Sequence, residues 1–302
     1  VKSLFSKLPK SSNTPAARAK VALDEFLASD ARNARTNERL LWCEGYIHGV
    51  PVSVIFERAR AICSDILTKV DKEPDYASIA LCGSFSGGAS TSKKRGASTA
   101  YFKFREKSDI TERAMPYLER LCEETRLAEV LTSFDTLARV VPGNIFFTAP
   151  KNAETDRGAC KEPDWNMFFQ KGIGDYIRAC LKLVGCDLND QTFNQRLARE
   201  GSITGKIATV DLKSASNSNG ISLVERVVPA SLFRVMDDLR SPMTLLPSGE
   251  YYEPHMFSSM GNGFTFELES LVFLSLIRAI TSLFRIKGRV NVYGDDIIAP
   301  VE

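Results

Sequence analysis

The sequence predicts an α+β protein in which helices surround a small antiparallel sheet. Two patterns carry this prediction. Apolar residues recur at helical spacing through the N-terminal third of the chain and again from Phe264 to Phe284. Near the end of the sequence, Val290–Pro300 alternates apolar residues around a Gly-Asp turn, which is typical of a β-hairpin. With 302 residues, the chain is long enough to form two or more subdomains.

Composition and charge exclude several classes of protein. Apolar residues make up 44% of the chain and charged residues 25%, which excludes a disordered or collagen-like protein. A net charge of +2 excludes a histone-like polycation but allows a local basic groove. Seven cysteines without a C-x-x-C pair, and only two histidines, argue against a disulfide framework or a zinc site. Uninterrupted apolar stretches are too short for a bilayer, so no membrane association is expected.

Helical spacing predicts the first elements along the chain. Helices are expected over 16–41 and 52–70, and a further helical segment over 111–140. Residues 1–20 carry five basic residues and no acidic one. This segment is interpreted as a flexible basic arm, with a solvated terminus of no special role as the equal alternative.

A loop of unusual composition follows the first two helices. Residues 83–96 are rich in Gly and Ser and contain the basic triplet Lys93, Lys94 and Arg95. The loop leads into Tyr101–Arg105, where aromatic and basic residues alternate as in an exposed strand. Basic side chains beside aromatic ones suit an RNA backbone with stacked bases. The residues alone favour RNA contact and a plain flexible connector equally.

The Gly-Asp turn near the end of the chain brings two carboxylates together. Asp295 and Asp296 follow Gly294 at the predicted tip of two buried strands. Adjacent carboxylates repel each other, so a cation is their natural complement. A plain solvated turn is the alternative interpretation of this motif.

A second carboxylate ends an earlier strand. Residues 206–212 form a short apolar strand that ends in Asp211. The preceding Gly201–Ile207 resembles a phosphate-binding loop, but it has three residues between its glycines and an Ile in place of the magnesium-binding Ser or Thr. A turn that leads into the strand is the better interpretation. If this strand lies beside the hairpin, three carboxylates meet at one sheet end and can hold two Mg²⁺ ions for an in-line phosphoryl displacement.

Two further segments suit a nucleotide substrate. Ser258–Gly263 is a glycine-containing loop before a helix N-terminus, which is a favourable place for a nucleotide or a template backbone. In the charged loop at 150–163, Lys151, Arg157 and Lys161 could neutralise a triphosphate opposite the metal ions. Without the other motifs, this segment would be interpreted as an ordinary charged loop.

In this order, the motifs resemble the catalytic β subunit of RNA-bacteriophage (levivirus, Qβ-type) replicases, which is an RNA-dependent RNA polymerase. The similarity is clear from about residue 144 to the end of the chain and weaker over 83–104. The strings that carry it are Pro150–Asn152, Thr155–Arg157, Glu162–Pro163, Trp165–Gln170, Gly172–Gly174, Asp187–Thr192, Asn194–Arg196, Ala208–Leu212, Leu239–Pro242, Ser258–Gly263, Thr265–Leu271 and Tyr293–Ile298.

The resemblance implies a right-hand polymerase with an antiparallel palm sheet and helical fingers. It assigns an N-terminal, fingers-associated region to 1–110, fingers to 111–205 and a palm to 206–302. The implied site residues are Asp211 in motif A, Gly261 and Asn262 in motif B, Asp295 and Asp296 in motif C, and Lys151, Arg157 and Lys161 at the NTP phosphates. Asp211 and Asp295 would be the main ligands of two Mg²⁺ ions, or of Mn²⁺, with Asp296 assisting.

The resemblance also implies partners and points of difference. The partners would be template RNA, NTPs, host elongation factors Tu and Ts and a small-subunit ribosomal protein, in the cytoplasm of an infected bacterium. Family chains continue beyond the Asp-Asp hairpin into the rest of the palm and a thumb, so a partial chain without a thumb is expected. Asn217 stands where the family usually has an Asp that recognises the ribose 2′-OH, and Glu154 where a basic residue would be easier to understand. An amide can both donate and accept a hydrogen bond, so sugar selection is expected to survive in altered form.

Two other functions remain open from the sequence. Reverse transcriptases also use paired aspartates after a Tyr, but they typically place a bulky aromatic shortly after the motif A Asp, and 213–217 contains none. A non-catalytic RNA-binding protein, or an inactive polymerase fragment, could use the basic arm and the loop at 83–96. That alternative leaves unexplained why carboxylates stand at strand ends.

Overall fold

The computed structural model describes residues 14–127, 138–152, 155–212 and 214–301. Helices surround four small sheets in this part of the chain, which confirms the mixed α+β class. The α-helices are α1 (Pro15–Trp42), α2 (Val52–Leu67), α3 (Tyr76–Leu81), α4 (Ala100–Arg105), α5 (Met115–Glu124), α6 (Asp164–Leu183), α7 (Thr192–Thr204), α8 (Ile221–Val227), α9 (Ala230–Leu239) and α10 (Thr265–Leu283).

The strands form short ribbons between these helices. They are β1 (Tyr46–Ile47), β2 (Val50–Pro51), β3 (Ser108–Ile110), β4 (Ala138–Val140), β5 (Gly143–Pro150), β6 (Asp156–Lys161), β7 (Ile207–Asp211), β8 (Met243–Leu245), β9 (Tyr251–Tyr252), β10 (Asn291–Tyr293) and β11 (Asp296–Pro300). A three-stranded antiparallel sheet has the order β10-β11-β7, and a four-stranded sheet has the order β6-β5-β8-β9. The pairs β1-β2 and β3-β4 are separate.

The first two predicted helices are confirmed. The side chain of Thr14 caps α1 by accepting a hydrogen bond from the backbone N–H of Ala17, and Pro15 occupies the first turn, where its missing N–H costs nothing. The helix therefore begins before Arg18 and Lys20, and the prediction of a flexible basic arm is wrong from Pro15 onward. Residues 1–13 of that arm lie outside the described residues.

Two predictions of secondary structure are wrong in the middle of the chain. Tyr101–Arg105 lies in α4 rather than in a strand, because the ammonium of Lys103 is buried and donates hydrogen bonds to the carbonyls of Ser86 and Gly88 at 2.8 and 3.1 Å. Within the helix predicted over 111–140, the described residues are helical at the 3₁₀ turn Glu112–Ala114, in α5 and at Leu127. Residues 138–140 form β4, which pairs in parallel with β3, and 128–137 lie outside the described residues.

The core is built around α6 and α10. The side chains of Trp165, Phe169 and Ile173 on α6 are completely buried. At Gly174, a Cβ atom would come within 2.8 Å of the carbonyl of Gly263, so the loop before α10 can approach α6 this closely only at a glycine. The two helices thereby hold that loop in a fixed place. Within the described residues, no helix is both long and apolar enough to cross a bilayer.

Candidate active site

The predicted carboxylate motifs meet at one end of the three-stranded sheet. As the sequence predicts, β7 lies beside the hairpin, and Asp211 and Asp296 are directly paired across β7 and β11. The side chains of Asp211 and Asp295 both line a cleft of about 460 Å³. Both residues are exposed, so their carboxylates are open to ligands from the cleft.

Local chain geometry explains why Asp211 stands at this point. α7 ends at Gly205, whose φ of 64° is the left-handed conformation that commonly terminates helices. Residues 201–204 are the last helical turn before it. The segment Gly201–Ile207 is therefore a helix end followed by a glycine cap rather than a turn throughout, but it leads into a strand as predicted, and β7 carries the chain directly to Asp211.

The tip of the hairpin rests on α10. Gly294 has a φ of 60°, and its backbone N–H donates a hydrogen bond to the Ser270 hydroxyl at 3.0 Å. A Cβ atom at this position would lie 2.4 Å from Cε2 of Phe266. The turn therefore needs a glycine both for its conformation and for its contact with the helix. This contact between Gly294 and α10 fixes the position of the neighbouring Asp295 in the cleft.

Asp296 is held differently from the other two aspartates. Its Oδ2 accepts a hydrogen bond from the side-chain amide of Gln191 at 2.9 Å, and its backbone carbonyl accepts one from Asn194 at 3.2 Å. Asn194 also accepts a hydrogen bond from the side chain of Asn291 at 2.6 Å. Asp296 does not line the cleft. Gln191 and Asn194 lie in two strings that carry the family resemblance, but no motif assigns them a role at the hairpin.

Two of the predicted cations line the same cleft as the carboxylates. Lys151 and Arg157 lie at the turn end of the β5-β6 hairpin, are exposed, and line the same cleft as Asp211 and Asp295. Lys161 lies at the far end of β6, about 13 Å along the strand from Arg157. Its ammonium sits 5.4 Å from the ring centroid of Phe147. The structure therefore separates Lys161 from the cleft, and Glu154 lies outside the described residues.

The glycine loop before α10 contributes through its backbone. Gly261 has a φ of 107°, and a Cβ atom there would come within 2.1 Å of the carbonyl of Cys160. Asn262 is nearly buried, and its side-chain carbonyl accepts a hydrogen bond from the backbone N–H of Phe264. Neither Gly261 nor Asn262 lines the cleft, whereas their neighbour Met260 does. The loop thus lines the cleft through Met260, whereas Gly261 and Asn262 shape the loop behind it.

Asn217, the residue predicted near the sugar, does line the cleft. It ends a short 3₁₀ helix over Ala215–Asn217, which follows a left-handed Ser214 with a φ of 56°. Its side-chain oxygen accepts a hydrogen bond from the backbone N–H of Met260 at 3.4 Å. The segment after β7 and the loop before α10 are therefore joined at this point.

A buried carboxyl below the hairpin was missed in the sequence. Glu269 is 2% exposed, and no hydrogen-bond partner is found for its Oε2 among the described residues. Burial raises its pKa to about 7; the hydrogen bond from Ser216 opposes this rise, and the charges of Asp295 and Glu267 add to it. The available signal was an acidic residue inside the apolar stripe of α10, which the periodicity alone had assigned to the core.

The donor set of the cleft fits a magnesium–phosphate complex better than a cage made of protein alone. Among the residues that the structure describes, no group of three or more His, Cys, Asp or Glu side chains is arranged to hold a metal ion. Asp211 and Asp295 supply two carboxylates to the cleft. Mg²⁺ prefers oxygen ligands, keeps several waters, and commonly binds through one or two carboxylates together with substrate phosphates. These two aspartates therefore fit that mode of binding.

The loop at 83–96 is ordered by internal contacts. Asp164 is completely buried and accepts hydrogen bonds at 2.5 Å from the hydroxyls of Ser90 and Ser92. Lys93 is 7% exposed, and its ammonium bonds to Glu106 at 2.9 Å. Of the three basic residues predicted to contact RNA, only Lys94 and Arg95 present exposed side chains.

Comparison with known proteins gives consistent matches over nearly the whole chain. The family model described as RNA replicase, beta-chain, matches residues 2–302. The RNA-directed RNA polymerase subunit beta of Qbeta virus (strain MX1) is 42% identical over 285 residues, which cover 93% of this chain and 47% of that protein. The RNA-directed RNA polymerase beta chain of Enterobacteria phage fr is 39% identical over 298 residues, covering 96% of this chain and 52% of that relative. The corresponding beta chain of Escherichia phage MS2 is 38% identical over 310 residues, with coverages of 99% and 54%. The chain thus spans about half the length of the curated relatives that it matches.

Proposed function

The chain belongs to the RNA replicase beta-chain family, and from that premise we propose that it forms the nucleotide-binding and catalytic part of an RNA-directed RNA polymerase. The observation that carries the proposal is the cleft, which Asp211 and Asp295 line together with Lys151 and Arg157. Carboxylates opposite cations suit a triphosphate that arrives with divalent metal, because each end of the substrate meets the charge that it requires.

Each side chain of the cleft has a distinct part in the proposed reaction. Two Mg²⁺ ions, when bound, would activate the RNA 3′-hydroxyl and stabilise the leaving pyrophosphate. Asp211 and Asp295 would hold them. Arg157 can grip phosphate oxygens with two parallel hydrogen bonds, and Lys151 adds a point charge. Asp296, tied to Gln191 and Asn194, supports the hairpin from behind rather than reaching into the cleft.

The architecture follows from the same proposal. The three-stranded sheet with α10 behind it corresponds to a right-hand palm at 206–302, and the helical segments at 1–110 and 111–205 to the fingers and the region associated with them. The thumb would belong to the part of the relatives that this chain does not match. By family analogy, the partners would be template RNA, NTPs, elongation factors Tu and Ts and a small-subunit ribosomal protein in the host cytoplasm.

The test is nucleotide incorporation on an RNA template with Mg²⁺, using the longest protein encoded by the native reading frame and bacterial elongation factors. Asp295→Asn keeps the size of the side chain but removes its charge, and it should abolish incorporation while RNA binding stays or improves. Asp65→Asn, an exposed residue on α2, is the matched control and should incorporate normally. A folded wild-type protein that binds RNA but incorporates nothing would favour the non-catalytic RNA-binding protein instead. Full incorporation by Asp295→Asn would remove the cleft as the active site.

A further inference from the structure

One face of the N-terminal helix α1 is polar and yet buried. Ser29, Asp30 and Asn33 are 2%, 0% and 3% exposed, and Asn37 continues the same face one turn later. A buried helix face is usually apolar, because a polar group taken out of water costs free energy unless it finds a hydrogen-bond partner. The partners of these four side chains therefore indicate what the face is for.

Two of the four side chains hold the chain before the glycine loop. Asp30 accepts hydrogen bonds from the Tyr252 hydroxyl at 2.6 Å and from the backbone N–H groups of His255 and Met256 at 2.8 and 2.7 Å. Asn37 donates to the carbonyl of His255 at 2.9 Å and accepts from the N–H of Ser222 at 3.1 Å. These bonds dock α1 onto the rest of the protein.

The other two side chains act on the cleft itself. Asn33 donates its amide N–H to the backbone carbonyl of Asn217 at 2.7 Å, and the Ser29 hydroxyl lies 3.4 Å from the same oxygen. That carbonyl closes a 3₁₀ helix, and the last carbonyls of a helix have no partner within it. Asn33 thus caps the segment that carries Asn217 into the cleft.

A separate hydrogen bond, from the backbone N–H of Met260, orients the side chain of Asn217. A backbone N–H can only donate, so its hydrogen bond from Met260 must go to the amide oxygen of Asn217. The amide nitrogen is then the group that remains for a ligand in the cleft. Asn33 holds the main chain of this residue and Met260 its side chain, which together leave the Asn217 amide little freedom.

We infer that Asn33 is a positioning residue for sugar recognition: it holds Asn217 so that the Asn217 amide N–H donates to the 2′-hydroxyl oxygen of the incoming nucleotide. This inference rests on the proposed function. A 2′-deoxynucleotide lacks the 2′-hydroxyl oxygen, so the amide N–H of Asn217 would have no hydrogen-bond acceptor on the sugar. A polar site rejects an analogue that lacks a hydroxyl for this reason. Asn33 itself does not line the cleft, and its effect passes through Asn217.

The test compares two isosteric changes on the same helix face. Asn33→Asp replaces the donor to the Asn217 carbonyl by an acceptor, and Asn37→Asp does the same one turn later at the carbonyl of His255. Both are measured for incorporation of ribonucleotides and 2′-deoxyribonucleotides by the longest protein of the native reading frame, and for thermal unfolding. We expect Asn33→Asp to lower the ribo-to-deoxy ratio of kcat/KM roughly tenfold, the worth of one hydrogen bond. Asn37→Asp should keep the wild-type ribo-to-deoxy ratio, even if its unfolding temperature is as low as that of Asn33→Asp.

The outcomes separate the inference from the function on which it rests. An equal change of the ratio in both variants, or no change in Asn33→Asp, overturns the role of Asn33 while polymerase activity stands. A wild-type protein that incorporates neither kind of nucleotide overturns both. If Asn33→Asp fails to fold, Ser29→Ala carries the comparison, because it removes the second donor on the same carbonyl; a ratio unchanged in that variant counts against the inference.

Discussion

Replacement of Gly294 by alanine tests whether the hairpin tip is fixed by its contact with α10. The residue has a φ of 60°, and an added Cβ would lie 2.4 Å from Cε2 of Phe266 and 3.0 Å from Oε1 of Glu269. The left-handed conformation costs alanine about 1–2 kcal/mol. Forcing a methyl group into packed surroundings costs about 1–3 kcal/mol more. We therefore expect Gly294→Ala to lower the free energy of unfolding by about 2–5 kcal/mol.

Gly205→Ala provides the matched control for this prediction. Gly205 has a φ of 64°, but no atom lies within 4 Å of the position that an alanine methyl group would take, so this change should cost the conformational part alone, about 1–2 kcal/mol. Urea unfolding at a common slope measures both variants. In the polymerase assay, displacement of Asp295 by the Gly294 change should reduce incorporation on the order of 100-fold. Equal losses of stability in the two variants would refute the argument that the tip is fixed by its contact with the helix.

Three further outcomes are expected. Burial raises the pKa of Glu269 to about 7 from 4.5, so the folded protein binds this proton more tightly than the unfolded chain, and the contribution of Glu269 to stability falls as pH rises from 4.5 to 7. In Glu269→Gln, the free energy of unfolding measured in urea should fall less across this pH window than it does in the wild type. A pH profile identical to that of the wild type would contradict the assignment. Arg157→Ala should raise the KM for NTPs about tenfold or more, whereas Lys161→Ala should leave it within about twofold; equal effects would place Lys161 in the cleft. Trp165→Ala should lower the free energy of unfolding by about 3–5 kcal/mol, because it empties a buried aromatic position. Trp165→Phe should cost less, because phenylalanine keeps an aromatic ring there while removing a buried indole N–H for which no partner is found among the described residues. Equal costs would argue against that reasoning.

The carboxylate end of the sheet was predictable because its determinants are local. Alternating apolar residues place Val292 and Ile297 inside, and a glycine turn between them leaves the aspartates at the tip. The neighbouring strand could be assigned for a related reason, since Asp211 ends an apolar run just as the turn begins the next. Short-range pattern thus predicted both the strands and the charges that they carry.

The failures share a different cause, which is contact with distant parts of the chain. Lys103 and Lys93 look solvated in sequence, yet both are buried, and their ammonium groups donate hydrogen bonds to oxygen acceptors in or beside the glycine-rich loop. Lys161 lies at the end of β6 away from Arg157 and outside the cleft lining, a position that depends on the strand geometry rather than on the motif. Glu269 was not predicted as a buried carboxyl, because apolar periodicity indicates which face of a helix is buried and not which polar group that face accommodates.

The polar face of α1 also bears on how the chain acquires its structure. Asp30 bonds to residues as much as 226 positions later, so α1 cannot dock until most of the chain has been synthesised. At about 5–20 residues per second, that delay is on the order of 10–45 s on the ribosome. Three of the five buried residues of α1, Ser29, Asp30 and Asn33, are polar, so before it docks the helix exposes less apolar surface than a purely aliphatic docking face would. The polar side chains that dock α1 thereby also limit the apolar surface that the nascent chain presents to its neighbours while α1 is undocked.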